Sequence, residues 1–332
     1  MKTEHGIALV DRDEKGVDRA FRDDVLKGLS QQDKAIPARW LYDDAGSQLF
    51  EDITDLPEYY PTRAETEILE ARGEEFAQLI GKGRAVVEFG SGSSVKTPLL
   101  LRAIDPAAYV PLDISGEFLR ESAAALAKKF PEVEVFPVEA DFMREVELPD
   151  EVTDMPKLGF FPGSTIGNMV PRTAVDLLRS MRATLGAEEG GMPLLLIGMD
   201  LVKDQQVLEA AYDDSQGVTG EFNLNLARRI NRELEGNIPV EALRHTAPWN
   251  DDFARIEMRL EATEDIEFEV AGNRFSMRRG ETIHTENSHK FTRRSANTLL
   301  LAGGWTPQAR WTDSGDRFSL ILAEATEKRD AP

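Results

Sequence analysis

The chain has 332 residues, 39 Lys and Arg against 60 Asp and Glu, a net charge of −21, no Cys and four His. Without Cys there is no disulfide, zinc–thiolate centre, iron–sulfur cluster or thiolate nucleophile, and four scattered histidines argue against a His-based metal site. So negative a chain argues against nonspecific nucleic-acid binding and against docking on an anionic membrane. The length fits two domains, or one large domain with an insertion.

The start, MKTEHGIALVDRDEKG, lacks the apolar core of a secretory signal. The longest apolar run, MPLLLIGMDL (192–201), has the length of a strand, not of a bilayer span. A cytoplasmic protein is expected.

Residues 17–30 predict an amphipathic helix, with Val17, Phe21, Val25 and Leu29 spaced by four. Thr62, with Glu65 three residues on, predicts an N-cap for a helix running to about Ile80 and stopped by Gly81. Strands and helices then alternate. RAVVEFG (84–90), AYVPLDI (108–114), VEVFPVEAD (133–141), LGFFPGSTIG (158–167) and MPLLLIGMDL read as strands, with amphipathic segments between them. Short apolar strands in βα alternation predict a parallel sheet wound on both faces. Residues 203–241 read as largely helical and 254–290 as charged β-ribbons. TRRSANTLLLAGG predicts a helix closed by glycine, and QARWTDS with FSLILAEA a terminal hairpin around a Gly-Asp turn. No internal repeat is visible.

An α/β doubly wound sheet ending in a C-terminal β-hairpin is the usual architecture of class I S-adenosylmethionine (SAM) methyltransferases. The expected division is a Rossmann-like SAM-binding domain over 65–202 and 291–332. A second, α+β substrate-binding lobe takes 1–64 and 203–290, over the carboxyl ends of the strands, where open α/β sheets bind ligands.

VVEFGSGSS follows the first strand and opens a helix. Gly90 and Gly92 would let a nucleoside approach the backbone. A third glycine is replaced by Val95, which weakens a dinucleotide reading; SAM has no phosphate and tolerates the looser turn. Asp113 ends the second strand, about 20 residues on, where an acid accepts ribose hydroxyls. Asp141 and Phe142 end the third, placed for an adenine amine and ring. Lys96 could pair with a carboxylate. Each has a plain structural alternative: a helix cap for either Asp, a solvated surface charge for Lys96. The conjunction carries the weight. In FPGSTIGN, Gly163 allows close approach and Asn168 supplies a donor and an acceptor; a turn Asn is the alternative. Tyr42, Tyr59 and Tyr212 lie in segments flanking the sheet and could equally be aromatic packing. Glu286 and Ser288 alternate along a strand that could equally be a solvated edge.

The chain closely resembles the histidine-specific Nα-methyltransferases of ergothioneine biosynthesis over about residues 17–325. The segments that carry the resemblance are LYDDAGSQLFEDIT, LPEYYPTRAE, VEFGSGSSVKT, FPGSTIGN, LVKD, AYDDSQGVTGEFNLN, RIEM and HTENSHKF. The resemblance implies that Gly90, Lys96, Asp113, Asp141 and Phe142 bind SAM, with Gly92 in the same turn. It implies that Tyr59, Asn168 and Tyr212 hold the carboxylate and amino end of the substrate, and that Glu286 and Ser288 hold its imidazole. Tyr42 would lie near the reacting amine, with Gly163 and Met258 lining the pocket; Tyr42 and Asn168 are the candidate catalytic residues. The activity implied is SAM-dependent trimethylation of L-histidine at its α-amine to hercynine, by a monomer, without metal, nucleic acid or membrane. Three alternatives stay open: the same fold acting on another aromatic or α-amino acid, a noncatalytic SAM-binding protein, and an NAD oxidoreductase, the last disfavoured by Val95 and the hairpin.

Overall fold

The computed structural model of the chain describes residues 16–92, 96–114, 116–186 and 191–326. Val95 and residues 1–15, on which part of the reading above rested, lie outside them. The described residues divide into two compact units: Pro61–Val202 with 291–326, and 16–60 with Lys203–Lys290.

The first unit is built on a sheet of order Trp305–Thr312, Phe318–Ala325, Leu194–Asp200, Lys157–Phe161, Ala85–Phe89, Ala108–Asp113, Glu134–Val135. The last five pair parallel, and Phe318–Ala325 is antiparallel to both its neighbours. This is the Rossmann-like sheet with a terminal hairpin that the pattern predicts. Its strands are continuous apolar runs because both faces are covered; every residue of Leu194–Asp200 is buried. Val87, Phe89, Phe161 and Ile197 pack with Leu177 and Met181 of Pro171–Leu185 and Leu300 of Arg293–Ala302. Val86, Leu158, Phe160 and Leu196 pack with Ile68, Phe76, Leu100 and Ile104 on the other face. Ala85–Phe89 lies between Ala108–Asp113 and Lys157–Phe161, so the strand order reverses beside it, the point where open α/β sheets bind ligands.

Two expectations need correction. The helix expected from Thr62 to Ile80 is two helices, Tyr60–Ala71 and Gly73–Ile80, the second ended by Gly81 at φ +80°. Thr62 does not cap the first: the helix starts before Pro61, whose missing N–H costs nothing in a first turn. The third strand is two short pieces, Glu134–Val135 and Val138–Glu139, both paired to Ala108–Asp113. Pro137 stands between them without an N–H for the ladder.

The second unit has its own core, joining Phe21, Val25 and Leu29 of Arg19–Leu29 to Phe222, Leu226 and Ile230 of Val218–Glu233 and to one sheet. That sheet runs Lys34–Ala35, Thr282–His289, Arg255–Ala262, Leu243–Thr246. Leu260 pairs with Ile283, Met258 with Glu286 and Ile256 with Ser288, and all six are buried. Between Leu260 and Met258 the facing strand spends an extra residue: Arg259 pairs with His284, and Thr285 is the bulge. Thr285 Oγ1 donates to the Met258 carbonyl at 3.0 Å. Strict alternation from Ile283 would turn Thr285 and Asn287 inward. The bulge shifts the phase by one after Thr285, so Glu286 and Ser288 are buried while Asn287 is only half-buried.

Candidate functional site

In the first unit the glycine turn folds back over the second strand. The N–H groups of Gly90 and Ser91 both donate to the Leu112 carbonyl, at 2.9 and 3.1 Å. Gly90 sits at φ +74°, and a Cβ there would lie 3.3 Å from the Phe142 ring. Gly92 N–H donates to Asp113 Oδ2 at 3.2 Å. Four of the expected residues therefore converge: Gly90, Gly92, Asp113 and Phe142. Phe142 is held edge-on to Phe89 and Phe161, with centroids 6.3 and 6.0 Å away. Asp141 is exposed and accepts from Met143 N–H at 3.0 Å, a local turn that presents the aromatic ring. Asp113 ends its strand ahead of the Gly116–Lys129 helix.

Lys96 is not a solvated surface charge. Its ammonium pairs with Glu65, whose side chain is wholly buried. Glu65 also accepts from Gly163 N–H at 2.9 and 3.1 Å through its two oxygens. Sequence reasoning took Glu65 for a capping residue and missed this role. The signal was an acid on the same helix face as buried Ile68 and Leu69. Gly198, in the middle of a buried strand, makes room: a Cβ there would lie 2.5 Å from Glu65 Oε1. Beyond Gly163, Ser164 holds φ +59°, and its hydroxyl accepts from Asp200 N–H at 2.9 Å. This fixed, left-handed corner carries Thr165–Asn168, a single 3-10 turn with half-buried Asn168 at its end. Nearby, Glu88 is buried and accepts from Tyr109 Oη at 2.6 Å and Thr97 Oγ1 at 2.7 Å; burial pushes its carboxyl up to about 7.

The second unit gathers the other expected residues. Glu286 is 6% exposed, and burial pushes its carboxyl up to about 8, against the lowering effects of the Lys290 charge and a hydrogen bond from Tyr42. Tyr42 as a whole is 37% exposed, yet its hydroxyl end is enclosed beside Glu286. Burial first, then the neighbouring Glu286, Tyr59 and Tyr212, hold that phenol well above its usual range. Tyr59 is buried edge-on to Tyr212, with centroids 6.1 Å apart. Tyr212 Oη and Ser288 Oγ are 2.7 Å apart. Lys290, which sequence reasoning did not single out, is buried and donates to Tyr212 Oη at 2.8 Å and Ser288 Oγ at 2.9 Å. It shares the strand phase of Glu286 and Ser288, and that even spacing was legible.

Several residues of the resemblance segments are scaffolding. Asp214 accepts from the N–H groups of Gln216, Val218 and Thr219, tying down the start of Val218–Glu233. Asn223 Nδ2 donates to the Arg259 carbonyl at 3.1 Å and meets His245 Nδ1 at 2.9 Å. His245 Nε2 lies 2.7 Å from the Tyr212 carbonyl. As Asn223 donates to Nδ1, the ring proton is assigned to Nε2, and burial holds His245 below its usual range, neutral. This chain of contacts sets where Tyr212 sits. Among the described residues no group of His, Cys, Asp or Glu is arranged to hold a metal ion, and no helix is long and apolar enough to cross a membrane.

The profile of a family described as "Histidine-specific methyltransferase, SAM-dependent" matches residues 21–325. A protein of Mycobacterium tuberculosis named histidine N-alpha-methyltransferase is 38% identical over 92% of this chain and 94% of its own length. One of the same name from Mycolicibacterium smegmatis is 39% identical over 92% and 94%. The ergothioneine biosynthesis protein 1 of Neurospora crassa is 30% identical over 87% of this chain, which spans 33% of that longer protein. With a match across nearly its whole length, this chain belongs to the histidine-specific, SAM-dependent methyltransferase family.

Proposed function

We propose that this enzyme adds three methyl groups in succession to the α-amino nitrogen of L-histidine, making hercynine at the first step of ergothioneine biosynthesis. The observation that carries the reading is the buried pair Glu286 and Ser288, turned inward by the bulge at Thr285. A carboxyl group and a hydroxyl two residues apart complement the N–H and the bare nitrogen of an imidazole. The printed names of the relatives support the same substrate and pathway.

The first unit fits SAM. Gly90 leaves space that a Cβ would take from Phe142, and Asp113 is fixed at the turn. In this reading Gly90 and Gly92 line the nucleoside, Asp113 takes the ribose hydroxyls, and Asp141 and Phe142 take the adenine. Lys96 has three donors and directs one at Glu65, so it can also serve a carboxylate. Bound there, SAM supplies a methyl group on a positively charged sulfur, open to in-line attack by a neutral amine.

The residues of the chain orient that amine. Tyr59 and Tyr212 hold the substrate's carboxylate and amino end, and Met258 lines that pocket. A free α-amine is mostly protonated at pH 7, so a proton must leave first. Tyr42 keeps its own proton, and so acts as a hydrogen-bonding group that orders the amine or a water that takes its proton, not as a phenolate base. Nitrogen loses its lone pair at the third transfer, which ends the series. The test is to incubate the protein with SAM and each amino acid in turn. Mass spectrometry should find one, two and three added methyl groups on histidine. Faster methylation of another amino acid, or none of histidine, would reject the reading.

A further inference from the structure

Lys290 has no part in the reading above, yet its ammonium is buried among the groups assigned to histidine. A buried ammonium is costly unless it is paired and hydrogen-bonded. Lys290 is 3% exposed, lies 4.4 Å over the Tyr212 ring, and donates to two neutral oxygens, Tyr212 Oη and Ser288 Oγ. Its backbone N–H donates to the Ala254 carbonyl at 2.8 Å, which anchors it at the end of the bulged strand pair. We propose that Lys290 is a positioning residue of the histidine site: it supplies the counter-charge for Glu286 and sets which way the Tyr212 and Ser288 hydroxyls present their hydrogens.

The hydroxyl argument follows from donor counting. An ammonium has donors and no acceptor, so a hydroxyl oxygen bonded to it must turn its own hydrogen elsewhere. Tyr212 and Ser288 both accept from Lys290 and share a hydrogen across 2.7 Å. Their hydrogens are thereby directed away from the ammonium, and Ser288 is oriented before any imidazole meets it. The charge argument follows from what faces Glu286. Tyr42 comes from the turn before Asp44–Thr54, Tyr59 from the turn before Tyr60–Ala71, and Tyr212 from the end of Gln205–Tyr212. All three are phenols, neutral at working pH. Met258, opposite on the paired strand, is uncharged. Arg255, Glu257, Arg259 and His284 lie on the reverse face of that strand pair. Lys290 supplies positive charge to Glu286 and opposes the effect of its burial.

The proposal rests on the histidine reading of Glu286 and Ser288, and the experiment separates the two. Lys290→Met removes the charge and keeps the stem; Lys290→Arg keeps the charge; Lys290→Gln replaces the first should it not fold. In protein labelled with 13C at Glu carboxyls, the Glu286 resonance is identified by its loss in Glu286→Gln. Its midpoint should rise by about one pH unit or more in Lys290→Met and return toward wild type in Lys290→Arg. The acidic limb of kcat/KM for histidine should move to higher pH in the same variant, with a loss of about tenfold at neutral pH. SAM affinity by calorimetry should stay within about twofold in a folded variant, because SAM binding is assigned to the other unit. An unmoved carboxyl midpoint overturns the role of Lys290. A wild-type protein that does not methylate histidine overturns the substrate reading instead, and the carboxyl midpoint still decides on Lys290.

Discussion

In the proposed reading, substrate choice is decided at Glu286. A carboxyl raised to about 8 by burial is partly ionised at neutral pH, and its ionised form accepts from an imidazole N–H while Ser288 meets the other ring nitrogen. An amino acid without those nitrogens leaves the carboxyl's substrate-facing hydrogen bond unmade, at a cost of about 1–3 kcal/mol. Glu286→Ala should lower kcat/KM for histidine at least about tenfold and narrow the gap to other amino acids. Unchanged histidine kinetics in that variant would remove the assignment. At this scale the sequence was informative about residue type and spacing: Glu286 and Ser288 stand two apart, and so does Lys290. It was uninformative about neighbours. Lys290 reads as a surface charge until the fold encloses it, and Glu65 reads as a cap until Lys96 and Gly163 arrive from far along the chain.

Among the elements, the strands were the most legible part, because a parallel strand covered on both faces is an unbroken apolar run, as in Leu194–Asp200. The terminal hairpin was legible from its turn. Breaks within elements were not. The bulge at Thr285 adds one residue to a ladder without changing composition, and only the pairing with Arg255–Ala262 reveals it. The Thr62/Glu65 spacing satisfied a local helix-start rule while a long-range contact took the carboxylate. That contact ties three elements together: Glu65 from Tyr60–Ala71, Lys96 ahead of Thr97–Ile104, and Gly163 after Lys157–Phe161. Removing one partner of a fully buried pair costs about 3–5 kcal/mol; the Lys96 side chain keeps 17% exposure, so roughly 2–3 kcal/mol is expected for Glu65→Gln. Lys96→Met added to Glu65→Leu should recover part of that loss, since no charge is then stranded. Denaturant unfolding measures both. A single variant as stable as wild type would show that the pair does not hold these elements together.

For the whole molecule, opposing titrations set the pH of greatest stability. Glu88 and Glu286 have folded values raised to about 7 and about 8. The folded state holds their protons where the unfolded chain releases them, so their contribution is complete below the unfolded carboxyl value and is lost as pH rises to about 8. Asp43, Asp214, Glu257 and Asp313 are held below their usual range by hydrogen bonds and ion pairs that outweigh burial. Their contribution is present above the unfolded value and is lost as pH falls through the lowered one. His245 and His284 are lowered mainly by burial, so they favour folding as pH rises toward the unfolded histidine value of about 6.5, and add nothing further above it. Between about 6.5 and 8, among these groups, the two raised glutamates still change, and both changes are unfavourable. A net charge of −21 adds self-repulsion in the same direction. The melting temperature should therefore be highest between about pH 5 and 6.5 and decline toward pH 8. Glu286→Gln and Glu88→Gln, which cannot ionise, should each flatten that decline, and both together should flatten it most. A wild-type melting temperature still climbing at pH 8, or variants that fall as steeply as wild type, would show that these two buried carboxyls do not govern the slope.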